Sequence, residues 1–328
     1  MRKQLYIILF TCYTFVIYGQ NIDAVMYDES CDSSFYSVIK VNENEYWAGG
    51  KHGILKRIDT FGNYENIDFP NSGLNILKMV NSGDYVFMAT NRGAIYRIDT
   101  RDNSFISKTF SGFGNKCFYD MIVLESGDIL VSGGTSGISR GRKRLPRGFI
   151  AKVDPNLESI QVKWKNRSHF VWSILQKDDG SLIAATFNGV NSHILKTTDF
   201  KEWNRLDRVR GLIYVVNDID GLIYGGAPNF RYNRNGIAGR INQNTEMFEE
   251  TGCLWTMQSI NGKIISTTQS GDVIMINRKT NETERFQIPE KLSLYSIAIM
   301  NESKFMTVGH GKSIYIIDLD QTPLQTAF

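Results

Sequence analysis

The chain is 328 residues long and carries a formal charge of +3, two units of which come from Arg2 and Lys3 near its start. Hydrophobic residues make up 42% and aromatic residues 12%, which suits a full-sized globular β domain. The remaining charge of +1 gives no global basic field, so no nucleic-acid partner is expected.

The first stretch differs from everything after it. Arg2 and Lys3 precede a mostly apolar run over residues 5–18, and Gly19 offers a cleavage point before Gln20. This pattern reads as a secretory signal peptide over residues 1–19, leaving residues 20–328 as one domain. The run is short for a transmembrane helix, so the mature chain is expected to lack a membrane span and to be secreted or periplasmic. An uncleaved N-terminal anchor is the alternative.

Residues 35–60, FYSVIKVNENEYWAGGKHGILKRIDT, set the theme of the rest. An apolar run, a polar turn, a second run ending in small residues, a loop and a third run closing on Asp59 predict three short strands. The same phrase is written seven times, closing on Asp59, Asp99, Asp154, Asp199, Asn242, Asn277 and Asp318. Subtracting these numbers gives spacings of 40, 55, 45, 43, 35 and 41 residues. A period of this size with several strands per repeat points to a propeller blade; a leucine-rich solenoid has a shorter one.

All but the last closing residue are followed by a turn and a more variable segment, at residues 64–69, 104–110, 160–165, 203–209, 245–250 and 283–288. These supply a fourth strand per repeat. Pairs such as Ala48-Gly49, Ser132-Gly133 and Gly225-Gly226 end the second strands, as expected where neighbouring blades converge on an axis. The expected fold is all-β: a seven-bladed β-propeller of four-stranded antiparallel blades, with a β-sandwich of coincidental internal similarity as the alternative. The last repeat lacks a fourth strand. Residues 21–27 (NIDAVMY) are preferred for it over residues 322–328, because they are richer in strand formers and lack Pro.

The strand pairs SILQKDDGSLIAAT and MIVLESGDILVSGG resemble the two-component-regulator propeller repeat, with an apolar strand, a D-G or G-D turn and a small-residue strand end. The segment from Thr197 to Trp203, TTDFKEW, is similar to a single Asp-box of the sialidase-like (BNR-like) propellers. The resemblance spans residues 35–320 and implies the fold, not an activity, since such blades serve sensors, binders, lyases and hydrolases alike. In the sialidase-like families the Asp-box is structural. Their arginine triad and nucleophilic Tyr have no counterpart that can be assigned here, so no sialidase activity is carried over.

Alternating strand direction sorts the loops onto two faces. Those before strand one and between strands two and three share one face. Aromatic residues recur near the start of strand one at Tyr36, Tyr119, Trp172, Trp255 and Tyr295, with Asn75 and Ile213 expected at that level in the other two blades. Their position near the mouth of a central channel suits stacking on sugar rings or gripping a peptide; packing between blades is the competing explanation. The long loop over residues 133–148 carries Arg140, Arg142, Lys143, Arg144 and Arg147, and the matching loop of blade five carries Arg231 and Arg234. An arginine-rich rim around an aromatic floor suits an anionic ligand, and a solvated basic loop is the plainer alternative.

All four histidines fall on the same expected face: His52, His193 and His310 in loops between strands two and three, and His169 just before strand one of blade four. His52 and His310 lie on adjacent blades, and Asp32 and Asp120 are carboxylates on that face. No metal-ligand, triad or phosphate-loop spacing appears, so neither metal nor cofactor is expected. Three cysteines follow the apolar run: Cys31, Cys117 and Cys253. Cys117 and Cys253 belong to blades that are not neighbours, so they are expected to be buried thiols.

The expected function is a non-catalytic recognition module, monomeric, holding an anionic glycan or a protein segment. One alternative is a polysaccharide lyase or glycoside hydrolase with His52, His193, His310 and Asp120 as its acid–base set. The other is a protein-interaction scaffold.

Overall fold

The computed structural model of the chain describes residues 22–26, 33–135, 147–228, 234–320 and 325–326. The signal-peptide segment, Cys31 and Asp32, and the arginines Arg140, Arg142, Arg144 and Arg231 lie outside these residues.

Seven antiparallel sheets follow one another around a ring. Blade one is built from Phe35–Asn42, Glu45–Gly50, Leu55–Asp59 and Tyr64–Asn66, running outward from the axis in chain order. Blades two to six repeat the plan. In blade seven, Leu294–Ile299, Lys304–Gly309 and Ile314–Asp318 are joined by the N-terminal strand Ile22–Met26, with Ile22 opposite Ile317. The C-terminal strand Gln325–Thr326 pairs instead with Thr283–Gln287 of blade six, as a fifth strand there. Among the described residues no helix is long and apolar enough to cross a membrane.

Strand alternation explains where the core lies. Each sheet is covered on both faces by its neighbours, so both sets of alternate side chains are apolar. Every junction has its own cluster. Phe87 and Ile95 of blade two meet Phe118 and Met121 of blade three. Phe35, Val38 and Tyr46 of blade one meet Met306, Val308 and Ile314 of blade seven, so the ring of packing has no seam.

The small residues at the ends of the second strands have two causes, of which convergence between blades is one. A Cβ on Gly49 would come within 2.9 Å of Met79 in the next blade. On Gly50 it would come within 1.9 Å of the Ser34 carbonyl oxygen, which belongs to the same blade.

The repeated closing Asp or Asn also has a local cause. The Asp59 carboxylate accepts the N–H groups of Phe61 and Asn63, and Asp199 accepts those of Lys201 and Glu202. Asp99, Asp154, Asn277 and Asp318 each accept the N–H two residues on. A short side-chain acceptor at this point satisfies turn amides that no ladder reaches. Blade five differs: Asn242 adopts a left-handed backbone, φ 59°, and its N–H donates to Asp207. The Asp-box-like segment is one of these turns, with Trp203 packed against the cluster between blades three and four.

Candidate functional site

In all seven blades the innermost strand breaks register against the second strand one residue after a buried apolar side chain, and blade one shifts again between Lys40 and Asn42. The residues at the shared break are Tyr36, Leu77, Tyr119, Trp172, Tyr214, Trp255 and Tyr295. An extra residue in one strand re-aims its side chain and leaves those on either side in their usual places. Phe35 and Val38, flanking the break in blade one, are buried in the junctions with neighbouring blades. The bulged residue faces the axis, and all seven line a cavity of about 380 Å³ with Lys78, Asp120, Ser173, Val215, Thr256 and Ser296.

Six of the seven axial residues are aromatic, and they touch in sequence around the cavity. Tyr119 stacks on Trp172 at 4.2 Å between ring centroids and 24° between planes. Trp172 meets Tyr214 edge-on at 5.1 Å, Tyr214 meets Trp255 at 4.4 Å, and Trp255 meets Tyr295 edge-on at 5.4 Å. Tyr295 meets Tyr36 at 5.6 Å. Burial pushes the phenols of Tyr119 and Tyr295 up, so both are neutral donors at any physiological pH. Among the described residues no acceptor reaches the buried indole N–H of Trp172 or Trp255.

The arc is open at blade two, where Leu77 replaces the ring and Lys78 follows it. Lys78 Nζ lies 3.1 Å from Asp120 Oδ1. The other Asp120 oxygen accepts the Ile174 N–H of blade four at 2.9 Å. Related latches cross three more junctions: Ser37 Oγ accepts Met79 N–H, Ser173 Oγ accepts Val216 N–H, and Ser296 Oγ accepts Val38 N–H. In four blades the residue after the bulge thus joins its blade to the next by a side-chain acceptor, and Asp120 both latches and pairs with Lys78 in the cavity wall.

The structure brings together all five aromatic residues singled out in the sequence and corrects the other two members. Tyr214 and Leu77 hold the positions expected for Ile213 and Asn75. The signal was present as a four-residue phrase: FYSV, ILKM, FYDM, VWSI, IYVV, LWTM and LYSI. Strict strand alternation hides it, because the bulge places two apolar junction residues three apart instead of two.

The histidines do not join Asp120, and none lines the axial cavity. His52 is exposed, with its N–H donating to Asn75 Oδ1. His310 Nδ1 lies 3.1 Å from Ser34 Oγ. His193 sits within a strand, Asn191–Thr197, and not in the loop expected for it. Its ring lies 5.1 Å from that of His169 in the same blade. Burial lowers the pKa of both, and for His193 the neighbouring His169, Arg205 and Arg208 add to this. Arg234 is exposed, its carbonyl accepting the Gly252 N–H, and it lines no part of the axial cavity. Cys117 and Cys253 are buried thiols that form no disulfide among the described residues, the latter pushed up to about 12 by burial. Among the described residues no cluster of three or more His, Cys, Asp or Glu could hold a metal ion.

No family model matches the chain, and no curated protein matches it in sequence. Solved structures do match in shape. Virginiamycin B lyase from Staphylococcus aureus superposes with a TM-score of 0.69 at 12% identity, covering 92% of this chain and 100% of that one. YCF48 from Cyanidioschyzon merolae gives 0.65 at 13% identity over 91% and 99% of the two chains. The WD40 β-propeller domain of Doa1 gives 0.66 at 9% identity over 92% and 97%. At these identities the likeness shows the fold alone, and that fold serves a lyase and a WD40 propeller alike.

Proposed function

We propose that the chain is a non-catalytic recognition module, working outside the cytoplasm, that takes an anionic glycan into its axial cavity. One observation carries this reading: a bulge at the same position in every blade gathers six aromatic rings around one cavity, with a polar pair at its open side. Aromatic faces hold the apolar faces of sugar rings, and a few convergent polar groups fix orientation. Lys78 and Asp120 supply these. An acid–base mechanism finds less support, because His52, His193 and His310 are not gathered at Asp120.

The test is a glycan array probed with the purified mature chain, with each hit checked for released product. Binding without turnover is expected, and Trp172→Ala and Trp255→Ala should each weaken it at least ~10-fold. Cleavage of bound glycans, or binding indifferent to both substitutions, overturns the reading. Absence of glycan binding with capture of an extended peptide would favour a protein segment in the same cavity.

A further inference from the structure

A second cavity, of about 540 Å³, opens on the outer part of blade three. Its wall contains four cations, Lys116, Arg147, Lys165 and Arg167, over a floor of Phe113 and Phe149. No carboxylate lines it. Among the described residues none of the four cations forms an ion pair, whereas ion pairs are common elsewhere in the chain.

The strand ladder sets the spacing of these charges. Gly148 pairs with Asn166, and Phe149 pairs with Lys165. Arg147 immediately precedes the first of these strands and Arg167 immediately follows the second, so both lie at the same end of the ladder. Like charges gathered at one strand end repel. Lys116 is held at the neighbouring turn by its N–H bond to the Phe113 carbonyl, 2.7 Å. Burial, and then the Arg147 guanidinium, push its pKa down. Among the described residues no carboxylate lines the cleft to offset this repulsion, and a bound anion would offset it. Asn166 does not serve: its Oδ1 is already bonded to Ser168 and lies 3.1 Å from His169 Nδ1.

We infer that this cleft is an oxyanion subsite, taking a sulfate, carboxylate or phosphate group between Lys116, Arg147, Lys165 and Arg167. Two planar guanidiniums suit bidentate contact with such a group, and Val162, an exposed apolar side chain on the wall, suits the carbon skeleton that bears it. The subsite lies on the same face as the aromatic arc by strand direction. Lys116 and Tyr119 are three residues apart on one strand, roughly 10 Å along it. The inference gives the anionic group of the proposed ligand its own place, and rests on the recognition reading only for the rest of that ligand.

The test has two arms. In the first, inorganic sulfate and phosphate are titrated against sodium chloride of equal ionic strength, with binding followed by NMR of the labelled mature chain. Saturable shifts at the backbone amides of Lys116, Arg147, Lys165 and Arg167 are expected. The double substitution Lys165→Gln with Arg167→Gln, both exposed and so compatible with folding, should weaken them at least ~10-fold. Shifts that are absent, or equal with chloride, or unchanged in the double variant, overturn the subsite. In the second arm, sulfated, carboxylated and neutral forms of one oligosaccharide are compared. The double variant should lose the preference for charged forms and keep neutral binding, whereas Trp172→Ala should weaken all of them. Equal wild-type binding of charged and neutral forms overturns the subsite while leaving the recognition reading standing. Sulfate saturation without any glycan binding supports the subsite and removes the glycan reading.

Discussion

The two ends of each blade repeat in different ways. At the turns after the third strands the residue itself recurs: Asp59, Asp99, Asp154, Asp199, Asn277 and Asp318 each accept the N–H two positions on. At the axial ends the backbone recurs, a bulge in every blade, while the side chain at the bulge changes from Tyr to Leu to Trp. A turn is closed by atoms a few bonds apart, so six of the seven blades solve the same problem alone and arrive at Asp or Asn. The axial cavity is walled by seven blades at once, so its residues are free to differ as long as the wall they form together is complete. The repeated end holds the blade, and the varied end is where a ligand would be distinguished.

That contrast can be attacked from both sides. The largest effect is expected at Asp120, which belongs to the varied end yet binds two blades. Asp120→Ala strands the Lys78 ammonium and orphans the Ile174 N–H, and should cost about 3 kcal/mol in urea unfolding. Asp120→Asn keeps an acceptor for Ile174 and drops only a half-exposed ion pair, so about 1 kcal/mol is expected. Equal losses for the two substitutions would show that the charge, not the latch, is what blade three contributes there. Next comes Asp59→Ala at the repeated end, which removes the acceptor of two backbone amides and should cost about 1 kcal/mol without touching ligand binding. A loss of binding with that substitution would break the division between the two ends.

The smallest effect is a pH dependence at the rim. The folded chain holds His169 and His193 below their ordinary values, so the unfolded chain takes up their protons first. Their contribution is complete above the unfolded value of about 6.5 and shrinks as pH falls below it, through the lowered folded values. The melting temperature should fall from about pH 7 to about pH 5, and His193→Gln should lessen that fall by roughly 1 °C. A steeper fall in the variant would show that His193 gains a partner on protonation.

The sequence by itself determined the seven repeats, the order of strands within each, and the closing Asp or Asn. These depend on alternation and on hydrogen bonds within a few residues, and both are visible along the chain. It also marked five of the six rings of the axial arc. Only the tertiary structure decided that Tyr214 completes the arc and Leu77 opens it, because a bulge shifts the count by one residue without leaving a change in composition. Only the tertiary structure separated the histidines from Asp120 and paired Asp120 with Lys78, 42 positions earlier in the chain. Of the cleft of Lys116, Arg147, Lys165 and Arg167, the sequence marked only Arg147, as part of the basic loop. Its charges come from a turn and strand ends, and strand register, which sequence spacing does not encode, brings them to one cleft.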